Sequence, residues 1–262
     1  MPKPILTLTT DFGLADHYVG AMKGVILGIC RDARIVDISH EAAPFDIAEG
    51  AYLISQAWRC FPKQTVHVVV VDPGVGTARR PIVMEAGGHY FVAPDNGVLS
   101  MIYSREKHKI RLISAERYFR KPVSHTFHGR DIFAPVAAHL ANGVPAARMG
   151  KTIDDYLRTD FEKPQQTGKR AWSGRILKID RFGNIVTNFL AADFPGIERR
   201  DFLLTVGSQQ IGVLARNYAE AGQDELFAII GSGGYLEVSG NQFSAAQRTG
   251  CQTGAAVELN VW

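Results

Sequence analysis

The residues from 66 to 71 read Val-His-Val-Val-Val-Val, and no other stretch limits the fold so strongly. A strand with one wet face alternates apolar and polar residues. A strand apolar at nearly every position needs cover on both faces, as a central strand of a parallel sheet between helix layers has. The run ends at Asp72 and breaks into Pro73-Gly74-Val75-Gly76-Thr77, with Arg79 and Arg80 just beyond. Ligands of open α/β sheets gather at the carboxyl ends of such strands. A carboxylate and a glycine loop delivered there together mark the first candidate site.

The flanking pattern agrees with a layered α/β domain. Residues 5–10 predict a strand ending in Asp11-Phe12-Gly13, followed by a helix with Val19, Met22, Val25 or Ile26, and Ile29 on one face. Residues 33–39 predict another strand, and Asp46 with Glu49 fits an acidic capping box opening a helix to about residue 59. Residues 81–93 predict a hairpin turning at Gly87-Gly88, and Asp95-Asn96-Gly97 a further turn. Residues 110–114 are strand-like, and 130–141 predict a helix that tolerates Pro135 only near its first turn. We expect a three-layer α/β domain with a mostly parallel sheet over residues 1–163. The polar stretch 162–170 reads as a linker. Beyond it, short strands at 175–179, 185–189, 202–206, 210–214, 226–230, 235–238 and 256–261 predict a small all-β, barrel-like domain over 171–262.

Charge and composition narrow the partners. A net charge of +3 with scattered basic residues does not make the basic stripe that nucleic acid requires, so no nucleic-acid partner is expected. No run approaches the roughly 18 apolar residues of a membrane span, so no membrane partner is expected. Met1-Pro2-Lys3-Pro4 leads into a strand rather than a signal-peptide core. Cys30, Cys60 and Cys251 are isolated, which suits a reducing cytoplasm better than disulfides or zinc.

Several residues offer chemistry, each beside a plainer role. Asp72 to Thr77 matches neither G-x-x-x-x-G-K nor G-x-G-x-x-G, so it is either a tight turn or a ligand loop. Arg79 favours the second, because a guanidinium fixes a carboxylate through paired hydrogen bonds. His128, in Thr126-Phe127-His128-Gly129-Arg130-Asp131, is either structural or a general base at a loop-to-helix junction. A metal cluster of His125, His128 and Asp131 is a rival reading, but no metal is expected. Asp11 and Asp16 follow the first strand, where carboxylates can accept from a ribose diol, with helix capping the alternative for Asp16. Asp180-Arg181-Phe182-Gly183-Asn184 joins an acid, an aromatic face and an amide, or is simply a hairpin turn. Gly231-Ser232-Gly233-Gly234 offers N–H groups and a hydroxyl for a carboxylate, or a flexible turn.

Taken together, these segments resemble the S-adenosyl-L-methionine hydroxide adenosyltransferases, better called S-adenosyl-L-methionine hydrolases, which are relatives of the fluorinating and chlorinating adenosyl enzymes. The likeness runs along the whole chain, through Thr10 to Gly13, Tyr18-Val19-Gly20, Lys23-Gly24, Pro44-Phe45-Asp46, Asp72 to Arg79, Pro94 to Gly97, Phe127 to Asp131, Asp180 to Asn184 and Gly231 to Glu237. The resemblance implies an α/β domain followed by a β-barrel, and a homotrimer with substrate bound between subunits. It maps a catalytic Asp–Arg–His set onto Asp72, Arg79 and His128. Asp11 matches a ribose-binding acid, Asn184 an adenine-reading amide, and Phe45 and Phe182 aromatic walls. Asp180 and Ser232 would hold the methionine end, and Glu237 lies in a family motif.

The implied reaction is hydrolysis of S-adenosyl-L-methionine to adenosine and L-methionine, by water held in line behind C5′. Placement of the water can contribute about 7–11 kcal/mol, and proton removal by Asp72 or His128 roughly 10²–10⁴-fold. No cofactor is expected, since S-adenosyl-L-methionine is itself the substrate. The alternatives are a halide-dependent adenosyl transferase and a nucleoside-binding module without turnover. The halogenating relatives lack the charged set, and a carboxylate disfavours halide.

Overall fold

The computed structural model describes residues 3–161 and 163–262. The chain divides into two compact units, Met1–Thr159 and Asp160–Trp262.

In the first unit the strands are β1 (Ile5–Thr10), β2 (Arg34–Ser39), β3 (Val66–Val70), β4 (Pro81–Ala86), β5 (His89–Pro94), β6 (His108–Leu112) and β7 (Thr152–Ile153). They form one sheet in the order β2-β1-β3-β5-β4-β6-β7. Pairing is parallel from β2 across β1 and β3 to β5, then antiparallel through β4, β6 and β7. The hairpin of β4 and β5, turning at Gly87 and Gly88, is what reverses the direction. β3 is buried along its whole length.

The helices are α1 (Tyr18–Ile29), α2 (Ile47–Ala57), α3 (Ser100–Tyr103) and α4 (Ala134–Ala141). Alternation on β3 shows how they cover both faces. Val68 and Val70 pack with Met22 and Ile26 of α1 and with Ala134 and Ala137 of α4. Val69 packs with Ile54 of α2 and Ile102 of α3. Burying such a side chain contributes roughly 1.5–3 kcal/mol, so the continuous apolar run is required by the two helix layers.

Local signals explain the helix boundaries. Asp46 caps α2 by accepting from Glu49 N at 3.0 Å, while the Glu49 carboxylate reaches back to Ala43 N at 3.2 Å. The helix expected to run to residue 59 ends at Ala57, and Trp58–Cys60 continue as a 3₁₀ turn. The helix expected over 130–141 is two pieces, a π-helical turn at Gly129–Phe133 and then α4, with Pro135 at the start of α4. The missing proline N–H leaves no carbonyl unmet, since the Asp131 carbonyl four residues earlier accepts from Arg120 N at 2.9 Å.

The second unit contains β8 (Gln165–Gln166), β9 (Ala171–Ile179), β10 (Ile185–Leu190), β11 (Phe202–Val206), β12 (Gln209–Ile211), β13 (Leu214–Ala215), β14 (Leu226–Ile230), β15 (Tyr235–Gly240) and β16 (Ala256–Val261). Their order is β12-β11-β16-β9-β10-β15-β14-β13, with β8 paired to β9. Ile211 near one end of this path and Leu214 near the other pack into the same core as Phe189, Leu204, Val238 and Leu259. A sheet whose two ends share a core must curl, and the result is a half-barrel. Three expectations are corrected here. Gln165 and Gln166, inside the stretch read as a linker, form a strand, and Glu162 of that stretch lies outside the described residues. The strand expected at 210–214 is two short ones. A helix, α5 (Ala245–Thr249), capped by Ser244, was not foreseen. Among the described residues, no helix is long and apolar enough to cross a membrane.

Candidate active site

β1 and β3 are adjacent and parallel, so Asp11 and Asp72, each the first or second residue past its strand, arrive at the same edge of the sheet. The loop after Asp72 turns back on itself. Val75 N donates to the Asp72 carbonyl and Thr77 N to that of Gly74, both at 3.2 Å. This turn brings Arg79 over the strand end. Arg79 Nε donates to Asp72 Oδ1 at 3.0 Å and Nη2 donates to Asp72 Oδ2. The same Nη2 meets His128 Nδ1 at 3.0 Å. The side chains of Asp72 and Arg79 are 4% and 6% exposed, so the pair is nearly sealed from solvent.

This geometry fixes the imidazole's protonation. A guanidinium only donates, so His128 Nδ1 accepts and the ring proton lies on Nε2. Burial lowers the His128 pKa below the ordinary value of 6.5, and the Arg79 charge lowers it further against the opposing pull of Asp72. His128 is therefore neutral at pH 7. The Arg79 guanidinium also lies 5.2 Å from the Phe133 ring centre. Its Nη1 is buried without a hydrogen-bond partner among the described residues.

Two features press His128 into this position. Gly76 has φ +78, and a Cβ there would sit 2.3 Å from the His125 carbonyl oxygen. The glycine loop thus lies directly against the segment that carries His128, a contact only glycine permits. Asp131 is fully buried and accepts from Arg130 Nε at 2.7 Å, Arg130 Nη2 at 2.8 Å, Arg120 Nη1 at 3.1 Å and Ser124 N at 2.9 Å. Burial pushes its pKa up, but Arg130 and the Ser124 N–H outweigh that and hold it low. Its carboxylate braces the loop from 120 to 131, so the rival metal reading loses its acid to two arginines. Among the described residues, no three His, Cys, Asp or Glu side chains are grouped to hold a metal. The sequence reading missed this brace, although Arg130 beside Asp131 was a visible signal.

Asp11 Oδ2 accepts the Phe45 N–H at 2.9 Å. Burial raises the Asp11 pKa, the Phe45 N–H partly offsets this, and the nearby Asp72 charge adds to the rise. Phe45 sits at φ +68 with 72% of its surface exposed. A bulky residue in the left-handed region is strained, and such strain collects at functional sites. Asp11, Phe45, Asp72, Arg79 and His128 are thus brought to one edge. Asp16 is exposed, and α1 opens at His17 without a side-chain cap, so the capping alternative for Asp16 is not realised.

In the second unit the loop from β9 to β10 holds itself together. Asp180 Oδ1 accepts from Phe182 N at 2.9 Å and Asn184 N at 2.8 Å, and Oδ2 accepts from Asn184 Nδ2 at 2.8 Å. The hairpin-turn reading and the polar-constellation reading therefore describe one object. Asn184 is buried and Phe182 is 78% exposed. A Cβ on Gly231 would lie 1.7 Å from Glu237 Oε1, so the turn carrying Ser232 folds directly over that carboxyl. Burial, then the Asp180 charge, pushes the Glu237 pKa up to about 7. Tyr218, which the sequence did not single out, joins them. Its pKa is raised by burial and then by Glu237 and Asp180.

Comparison with known proteins adds a separate line. Residues 6–150 match the SAM hydroxide adenosyltransferase N-terminal domain, and residues 174–258 match the C-terminal domain of that family. The chain is 40% identical over 252 residues to the (R)-S-adenosyl-L-methionine hydrolase of Methanocaldococcus jannaschii, covering 90% of this chain and 88% of that one. It is 27% identical to the fluorinase of Nocardia brasiliensis, over 99% and 97% of the two chains. The crystal structure of an uncharacterized conserved protein from Thermotoga maritima superposes with a TM-score of 0.89 at 38% identity, over 98% and 99% of the chains.

Proposed function

We infer the reaction from one premise: this chain belongs to the S-adenosyl-L-methionine hydroxide adenosyltransferase family. It hydrolyses S-adenosyl-L-methionine to adenosine and L-methionine. The observation that carries this reading is Arg79 bridging Asp72 and His128 at the end of β3. Water oxygen attacks C5′ as the C5′–S bond breaks. The bonding pair goes to sulfur, which leaves as the neutral thioether of methionine, and one proton is released. The sulfonium needs no acid to depart, so the protein's task is to place and polarise the water.

The roles follow from donor and acceptor counts. His128 Nδ1 is occupied by Arg79 and its Nε2 carries the proton, which supports His128 as a donor to the water oxygen. Each Asp72 oxygen accepts one bond from Arg79 and keeps capacity for a second, which supports Asp72 as the proton acceptor. Arg79 Nη1, buried and without a partner among the described residues, can stabilise the developing hydroxide. An anionic carboxylate, a guanidinium and a neutral imidazole carry no net charge. That suits water and gives a bare halide nothing to balance it.

The remaining contacts complete the reading. Asp11, with Asp16 beside it, would accept from the ribose diol, Phe45 and Phe182 would wall the adenosyl group, and Asn184 would read the adenine edge. Asp180, Ser232 and Glu237 would meet the amino-acid end. No cofactor takes part, because the leaving group is already activated. The three free cysteines favour a reducing cytoplasm. The family resemblance favours a homotrimer with substrate bound between subunits. In ¹⁸O-labelled water the label should appear on the 5′-hydroxyl of adenosine, and light scattering on the same preparation should give three chains. Unlabelled adenosine, or a 5′-halo product dominating at physiological chloride, would overturn hydrolysis. A monomer of full activity would overturn the trimer.

A further inference from the structure

Arg80 follows the triad arginine directly, and all three of its guanidinium nitrogens are engaged. Nε and Nη2 donate to Asp95 Oδ2 at 2.9 and 2.6 Å. Nη1 donates to both oxygens of Asp155, at 2.9 and 3.0 Å, and Nη2 also reaches the Asp155 carbonyl at 2.8 Å. The main chain repeats the link, since Asp95 N donates to the Arg80 carbonyl at 2.8 Å. The Asp95 side chain is only 3% exposed, and its other oxygen takes the Leu157 N–H at 2.8 Å. One side chain thus ties together the return of the glycine loop, the end of β5 and the segment from 155 to 157.

The loop itself offers little to hold Arg79. Arg79 N donates to the Thr77 hydroxyl at 3.3 Å, and that hydroxyl donates to the Gly74 carbonyl at 2.7 Å. A guanidinium on a long flexible stem keeps its place only if its Cα is fixed, and the next residue supplies the fixing. Arg79 turns inward and Arg80 outward, with side-chain exposures of 6% and 31%. We propose that Arg80, clamped by Asp95 and Asp155, is the positioning residue that sets the Arg79 guanidinium between Asp72 and His128. Lysine cannot replace it, because a single ammonium lacks the planar fork that engages two carboxylates at once. Asp95 carries the clamp. Asp155 is 71% exposed, and its contact is screened by solvent.

The rate readout rests on the hydrolase reading, while the titration readout does not. His128 faces Arg79, Asp72, Asp131 and His125, so its titration reports whether Arg79 is in place. In Arg80→Lys, and again in Asp95→Asn, the His128 midpoint followed by NMR should move up toward the ordinary value. With Arg79 displaced, kcat should fall by about 10–100-fold and KM should change less than about threefold. Arg111→Lys, which disturbs an ion pair with Glu85 elsewhere in the same unit, should move neither. Folded Arg80→Lys protein with parental kcat would overturn the proposal, as would a lowered kcat with an unmoved His128 titration in both variants. If the parent makes no adenosine, the hydrolase reading fails alone and the His128 titration still decides the clamp.

Discussion

In the first unit the groups that meet come from distant parts of the chain. Asp11 ends β1, Asp72 ends β3, Arg79 returns from the glycine loop and His128 opens a π-helical turn. In the second, Asp180, Phe182 and Asn184 lie within a single five-residue turn and bond to one another. The first arrangement exists only if the whole sheet and both helix layers form. The second needs little more than the hairpin of β9 and β10. All eight histidines lie in the first unit and none in the second. The candidate chemistry thus depends on global packing, and the candidate recognition on local hydrogen bonds. Preorganised charge demands that kind of support, because a misplaced donor loses most of its effect.

The widest gap between the units should appear in acid. Burial, and then the neighbouring His89, lowers the His67 pKa to about 3, and burial also lowers His89 and His139. Each is neutral in the fold and takes up a proton when unfolded. Their stability contribution is whole above pH 6.5 and is lost as pH falls toward the folded values. For His67 the loss should reach about 5 kcal/mol near pH 3. Hydrogen exchange at pH 4.5 should show the first unit opening before the second. The reverse order would break the comparison.

Substitution should separate the units next. Arg79→Lys should lower kcat by about 10³-fold, since it removes the paired bonds to Asp72 and the donor to His128. Asn184→Ala should raise KM by about tenfold and leave kcat within a few-fold, the loss expected of one recognition hydrogen bond. Steady-state kinetics over a full substrate range checks both. Equal losses of kcat in the two variants would erase the distinction.

The smallest effect should be the thermal response to Glu237→Gln. The Glu237 carboxyl, with its folded pKa near 7 against an ordinary 4.5, contributes stability below pH 4.5 that is lost as pH rises through 7. The variant should match the parent at pH 4 and melt a few degrees higher at pH 8. A lower melting temperature at pH 8 would mean that Glu237 is ionised and paired.

Legibility in the sequence followed locality. The buried run of β3, the Asp46 cap of α2 and the Gly87-Gly88 hairpin each depend on neighbours within a few residues, and each was read correctly. Arg79 beside Asp72 was legible for the same reason. His128 stood out by its own loop setting, but its specific pairing with Asp72 and Arg79 came through the resemblance, since no periodicity reports a contact across 49 residues. Asp131 near the start of a helix was read correctly, but its bracing of the loop was not, because two of its partners, Arg120 and Ser124, come from an irregular segment. The two-piece helix was invisible because a π-helical turn differs from an α-helix in hydrogen-bond register, which no apolar spacing over five residues marks.

That register makes the site sensitive to chain length as well as to residue identity. The turn at Gly129–Phe133 holds one residue more than an α-helix would need over the same span. Deleting a single residue inside it would close the segment into regular helix over the same span and change the directions that the residues within the turn face. Asp131 and Phe133 lie inside that turn, so the brace from Arg120 and the ring beside Arg79 would be displaced while the residues on either side keep their places. Substitution scanning would never visit that lesion. A one-codon deletion would, and relatives that differ in length across this turn should differ in what they do with the same residues.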